Sequence, residues 1–242
     1  MTINILTIKA FLKSIIRFIF NFLGFEIKRI QKNQTIKDPI HHNSCEEINR
    51  YYSDPSYIKT CLDNNHQLFF KDILNILIDK QIVLDGKVIA DVGCGIGVLC
   101  SIILDFYKPQ SIIGLEYSNK AIEAAKINCP NAEFGEINIL DVDSHYTHAF
   151  DIVFCLEVLE HLEYPNLALK NLIQMVHEKG VLVISVPNGR KDTFLGHIHF
   201  WSPESWKLFI NAHAKTFYTE CFCFNHDIFN LAIIKKSVNY IS

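Results

Sequence analysis

Ten residues, Val88-Ile89-Ala90-Asp91-Val92-Gly93-Cys94-Gly95-Ile96-Gly97, constrain this chain more than any other stretch. Five residues of buried-strand character run into glycines at alternate positions, and the apolar run from Val98 to Phe106 then reads as a helix. Glycine permits a tight turn and lets the backbone approach a ligand closely at the C-terminal end of a strand, beside a helix N-terminus. The spacing is G-x-G-x-G and not the G-x-G-x-x-G of dinucleotide sites, because Val98 follows Gly97. Asp91 precedes the loop. Glu116 lies about 20 residues further on, at the end of the next expected strand, where a carboxylate can accept both hydroxyls of a ribose.

Around this loop, short runs rich in Val and Ile alternate with amphipathic stretches: Val88–Val92, Ile112–Leu115, Ala132–Phe134, Ile152–Leu156 and Val181–Val186. That alternation predicts βαβ units and a mainly parallel sheet covered on both faces, an α/β fold. The tail departs from it. Thr216–Phe224 and Ile228–Lys235 are strand-like and joined only by Asn225-His226-Asp227, which predicts an antiparallel hairpin. Upstream, residues 46–79 carry apolar side chains at helical spacing, and the polar stretch 33–43 reads as a linker. The expected division is an amphipathic basic helical segment over 1–37, a helical cap over 38–80 and a catalytic domain over 81–242.

The charge separates the same regions. Residues 1–37 hold seven basic side chains against one acidic, a net of +6, so the formal −3 of the whole chain leaves −9 on the remainder. Lys9, Lys13 and Arg17 would form one stripe of a helix opposite a broad apolar face, which suits either a membrane interface or packing on protein. The longest stretch free of charge there, Phe18 to Phe25, is far short of the roughly 20 apolar residues that spanning requires. The punctuating charges also argue against a secretory signal. With 49% hydrophobic and 20% charged residues the chain can bury a large core. Its eight cysteines include no CxxC pair and are read as reduced thiols of a cytoplasmic protein. A pI near 6.4 argues against a general nucleic-acid binder.

Four ordered motifs carry a resemblance: Asp91-Val92-Gly93-Cys94-Gly95-Ile96-Gly97, Gly114-Leu115-Glu116, Phe150-Asp151-Ile152-Val153 and Gly180-Val181-Leu182-Val183-Ile184-Ser185-Val186-Pro187. Over residues 86–235 the chain resembles the class I S-adenosylmethionine-dependent methyltransferases. The resemblance implies a Rossmann-like, doubly wound, seven-stranded sheet, mostly parallel with a C-terminal antiparallel hairpin, plus N-terminal helices. It further implies that Asp91 and the Gly93 backbone hold the methionine end of the cofactor, that Gly95 and Gly97 admit its close approach, and that Glu116 binds the ribose. Asn138 stands where an Asp usually meets the adenine amino group, with Ile139 against the ring and Glu136 as an alternative acceptor.

Glu157-Val158-Leu159-Glu160-His161 follows the fourth strand, and positions 157, 160 and 161 share a face if the segment is an α-helix. Two carboxylates and an imidazole there can bind a divalent cation that polarises an acceptor oxygen. The run resembles that of the ubiquinone-biosynthesis O-methyltransferases, and a similar site occurs in small-RNA 2′-O-methyltransferases. The resemblance implies Glu157, Glu160 and His161 as metal ligands, with Mg2+ the usual ion. Glu157 and His161 are also candidates for a general base or an acceptor contact. His197 and His199 alternate in an aromatic loop, so either one is a candidate base or extra ligand, His199 included among the expected catalytic residues.

The expected function is methylation of a small molecule at oxygen, either a sugar of a surface glycan or its precursor, or a quinone precursor. A non-catalytic cofactor-binding protein on the same fold is the non-enzyme alternative. The expected location is cytoplasmic, with membrane-surface contact through residues 1–30 on the inner face as one reading.

Overall fold

In a computed structural model the chain divides after Pro39. The structure describes residues 43–236. The expected amphipathic helix over 1–37, and membrane contact through 1–30, lie outside the described residues.

Three helices open the described chain: α1 (Cys45–Tyr52), α2 (Pro55–Cys61) and α3 (Asn64–Asp79). The expected helical region is thus broken twice. Each break is written in side chains, since Asp54 caps α2 ahead of Pro55 and Asp63 caps α3 through the His66 amide. Strands and helices then alternate through β1 (Val88–Val92), α4 (Val98–Phe106), β2 (Ser111–Glu116), α5 (Asn119–Asn128), β3 (Glu133–Glu136), β4 (Phe150–Leu156), α6 (Pro165–Met175), β5 (Val176–Pro187) and α7 (Pro203–His213). Ser202 caps α7, its side chain accepting from the Ser205 amide ahead of Pro203 at the first helical position. A hairpin of β6 (Tyr218–Phe224) and β7 (Phe229–Lys235) ends it. Asn225, His226 and Asp227 all adopt positive φ, 49°, 55° and 60°, which turns the chain within three residues.

The sheet has seven strands in the order β3-β2-β1-β4-β5-β7-β6. β1 through β5 pair in parallel, and β7 pairs antiparallel with both β5 and β6. Central strands with both faces buried explain the unbroken apolar runs: Ile89, Ala90, Val153, Phe154, Val183 and Ile184 have no exposed surface. Burying a side chain such as Phe154 contributes roughly 1.5–3 kcal/mol. One core cluster lies among α3, α4 and the sheet, the other among α6, α7 and the opposite face. Phe69 of α3 packs on Phe224 and Phe229 of the hairpin at ring distances of 5.7 and 4.7 Å. Strand order reverses between β1 and β4, so the C-terminal ends of those strands open a crevice where ligands bind in this topology.

Candidate active site

The glycine loop lies at that crevice. Gly93 has φ +80°, and a Cβ built on it would sit 2.3 Å from Val158 Cγ2. Its N–H donates to the Leu115 carbonyl at 2.7 Å, which ties the loop to the end of β2. Gly97, at φ +74°, begins α4 with no side-chain cap, so no side chain occupies the first-turn N–H groups of that helix. We expect Gly93→Ala to lower stability by about 1–3 kcal/mol through left-handed strain, besides the clash with Val158, read as a lowered urea midpoint.

Glu116 is buried and accepts backbone N–H bonds from Gly95 (3.0 Å), Tyr117 (2.8 Å) and Ser118 (2.9 Å). Burial raises its pKa and the three amides oppose that rise. Asp91, also buried, is pushed up to about 7, first by burial and further by the Glu116 charge, against the Cys100 thiol that donates to it at 3.7 Å. Ile139 is buried, whereas Asn138 is exposed and its Oδ1 accepts from its own loop at Leu140 N–H, 3.0 Å. Tyr52 from α1, which the sequence did not single out as a site residue, lies over this end, its hydroxyl 3.0 Å from where a Gly95 Cβ would stand. A crevice lined by left-handed glycines, with a buried carboxylate at the end of the neighbouring strand, fits a nucleoside-bearing cofactor.

At the far side of the crevice, Glu157 directly follows β4 and has φ +56°. Glu157 thus lies outside any helix, and the expected α-helical face over positions 157, 160 and 161 does not form. A single 3-10 turn, Leu159–His161, takes its place, and Leu162 returns to extended backbone. Glu157 Oε1 accepts from Ser185 Oγ at 2.7 Å, and burial pushes its pKa up to about 8. Glu160 has no exposed surface, and neither carboxylate oxygen has a hydrogen-bond partner. Its Oε1 lies 3.9 Å from His161 Nε2 and 3.8 Å from His197 Nε2. His161 Nδ1 faces the Gly196 carbonyl at 3.2 Å, and His197 Nδ1 faces Asp192 Oδ2 at 2.6 Å. With both Nδ1 atoms held by acceptors, the hydrogen-bond network assigns the ring protons there, leaving two Nε2 lone pairs converging on an orphaned carboxylate. Burial and the neighbouring His197 push His161 down to about 4, so it is neutral at physiological pH.

Glu160, His161 and His197 thus offer three ligand atoms within 4.8 Å of one another. Glu157 stands apart on Ser185. His199, expected among the catalytic residues, is placed elsewhere: its Nε2 meets the Leu162 carbonyl at 2.9 Å and its ring stacks on Trp201. The alternation that put both histidines on one side presumed an extended segment, whereas the Ile198 and His199 amides both turn onto the Glu160 carbonyl. Asp192, which the sequence reading missed, had one signal: an acid five residues before a histidine in a loop that Asn188 folds back. Beside the cluster opens a cavity of about 620 Å³, lined by Glu157, Asp192, His197, Phe194, Ile228 and Phe229 among others.

The profile of the family described as "Methyltransferase domain" matches residues 84–240, most of the chain. This chain belongs to that family. Among curated proteins, this methyltransferase is 33% identical over 125 residues to the ubiquinone biosynthesis O-methyltransferase of Coxiella burnetii, covering 49% of this chain and 51% of that one. It is 32% identical over 114 residues to the tRNA U34 carboxymethyltransferase of Helicobacter pylori, covering 45% and 43%. The chain spans about half the length of the curated relatives it matches. Among solved structures, the N-methyltransferase NodS from Bradyrhizobium japonicum in complex with S-adenosyl-L-homocysteine aligns with TM-score 0.63 at 14% identity, over 80% of this chain and 98% of that one. At that identity the likeness shows the fold, and the seven-stranded Rossmann-like sheet is the one the sequence motifs imply. The family's cofactor is S-adenosylmethionine, and the crevice described above fits it.

Proposed function

We propose that this methyltransferase transfers a methyl group to a hydroxyl oxygen of an apolar, ring-bearing small molecule at a site that holds a divalent cation. One observation carries the reading: a fully buried carboxylate, Glu160, with both oxygens unpartnered, faces two imidazole nitrogens whose own protons are turned away. Burying such a group without a partner is costly, and a cation relieves the cost. Glu160, His161 and His197 would hold it, with Asp192 orienting His197 from behind. Two imidazoles and a carboxylate suit a borderline ion such as Zn2+ or Fe2+ better than the Mg2+ implied by resemblance. When bound, the ion acts as a Lewis acid that acidifies an acceptor hydroxyl.

At the cofactor end the roles follow the motifs: Asp91 and the Gly93 backbone at the methionine portion, Gly95 and Gly97 giving room, Glu116 at the ribose, Ile139 against the adenine. Asn138 Oδ1 is committed to its own loop, which leaves its amide N–H groups and Glu136 for the base. Transfer is an in-line displacement, so the protein must align acceptor and donor and take one proton. Glu157 lines the cavity, and its raised pKa suits a carboxylate that accepts the hydroxyl proton near neutrality.

Phe194, Leu195, Ile228 and Phe229 line the cavity, and apolar walls of this kind favour a phenolic or quinol-type acceptor over the sugar that the sequence alone also allowed. The ubiquinone-related relative agrees in kind. The −9 on the catalytic part argues against a nucleic-acid acceptor of the sort the tRNA-modifying relative acts on. Methyl-labelled S-adenosylmethionine offered to a catechol and to sugar nucleotides tests the acceptor. Label in the catechol is expected, and label in the sugar nucleotides alone overturns the assignment.

An apolar acceptor partitions into bilayers, which supports membrane-surface contact through residues 1–30. Among the described residues no helix is long and apolar enough to cross a membrane. Replacing Lys9, Lys13 and Arg17 by Glu in the full chain is expected to abolish flotation with anionic vesicles. Equal flotation of both proteins would end the idea.

A further inference from the structure

Residues 43–52 lie across the crevice and touch both of its ends. Asn43 Nδ2 donates to the His161 carbonyl at 2.7 Å and to the Gly196 carbonyl at 3.3 Å. Gly196 O is the atom that also fixes His161 Nδ1. One amide therefore joins the two loops that supply the imidazoles. It grips the residue before His197, while the backbone bonds from Ile198 and His199 to the Glu160 carbonyl grip the other side. Further along the segment, Asn49 Oδ1 accepts from Ser118 Oγ at 2.6 Å and from the Lys120 amide at 3.3 Å, and the Cys45 thiol, two residues after Asn43, donates to the Tyr117 carbonyl at 3.6 Å. Tyr117 and Ser118 are the residues whose amides hold the Glu116 carboxylate. Tyr52 closes the segment over Gly95.

We propose that Asn43 is a positioning residue that fastens α1 to the imidazole pair, so that cofactor and cation each strengthen the binding of the other. The inference rests on the cation reading above. Glu116, the carboxylate placed at the cofactor's ribose, sets Tyr117 and Ser118, these seat α1 through Asn49, and Asn43 passes that seating to His161 and Gly196. Coupling between two sites is reciprocal, so both ligands must report the same factor.

The test measures the Kd of S-adenosylhomocysteine by calorimetry with and without Co2+, and the Kd of Co2+ with and without S-adenosylhomocysteine, on the full chain. The neutral thioether avoids repulsion between a sulfonium and the ion. In the unaltered protein each ligand is expected to tighten the other by the same factor, about 5- to 150-fold. Asn43→Asp keeps the volume and removes both donors. It is expected to bring the factor to about one while each ligand still binds alone, and Asn49→Ala, at the other end of the segment, is expected to do the same. Coupling that survives Asn43→Asp, or that is absent from the unaltered protein although Co2+ binds, overturns the inference alone. Failure of Co2+ to bind the unaltered protein overturns the cation reading and this inference together.

Discussion

Replacing Glu160 with Leu is expected to reduce methyl transfer by roughly a thousandfold and, in the ion-free protein, to raise the melting temperature. The loss follows from removing the only ligand of the trio that carries negative charge, since a cation's stabilisation of developing charge amounts to several kcal/mol. The gain follows from the orphaned state of the carboxyl group, because a buried polar group without a hydrogen-bond partner costs about 1–3 kcal/mol that an apolar side chain of similar volume does not incur. The pH dependence gives an independent reading. Burial raises the pKa of Glu160, and burial likewise raises Glu157 to about 8 and Asp91 to about 7. A carboxyl group whose pKa is higher folded than unfolded contributes stability that is complete below its unfolded value and is lost as pH rises through the folded one. The ion-free protein should therefore lose stability between about pH 4.5 and 8. Glu160→Leu should make that decline shallower without removing it, since Glu157 and Asp91 remain. Thermal melts across that range check both slopes. Unchanged turnover in the variant would show that Glu160 serves only the fold.

Glu116→Ala is expected to weaken S-adenosylmethionine binding about a hundredfold, the product of two lost charge-assisted bonds to ribose hydroxyls at about 1.5 kcal/mol each or somewhat less. The same substitution also strips acceptors from the amides of Gly95, Tyr117 and Ser118. Glu116→Gln separates the effects, because its carbonyl oxygen still accepts while the charge is gone. Calorimetric titration of all three proteins is expected to order them Glu, Gln, Ala. Equal affinity across the series would remove Glu116 from the ribose site.

The cofactor half of the site was legible because its signals are local. Gly93, Gly95 and Gly97 mark the turn, the apolar run before them marks a strand buried on both faces, and Glu116 follows at the distance one βα unit dictates. The start of β5 was not legible. His177, Glu178 and Lys179 are exposed charged or polar residues in a strand that reaches back to Val176, and a register irregularity opposite Phe150 and Ile152 accommodates them. The acceptor half was legible in its residue types and not in its geometry. Glu160 and His161 could be named from sequence, but the positive φ of Glu157 has no signature in a glutamate, so helical spacing was the natural expectation. The choice between His197 and His199 depends on how a loop folds back on Glu160, and that is set by contacts 37 to 39 positions apart in the chain. Asn43 acts through contacts more than 100 positions away, which no local pattern encodes, whereas Asp192 meets His197 only five positions on.

Ion dependence of turnover tests the central claim most directly. The protein is treated with a chelator, transfer of labelled methyl from S-adenosylmethionine to a catechol is measured, and Zn2+, Fe2+ or Mg2+ is then restored in turn. The expected result is loss of transfer on chelation and its return with at least one ion, with no return in Glu160→Leu. Full transfer by the chelated protein, matched by full transfer in Glu160→Leu, would contradict a cation-centred site.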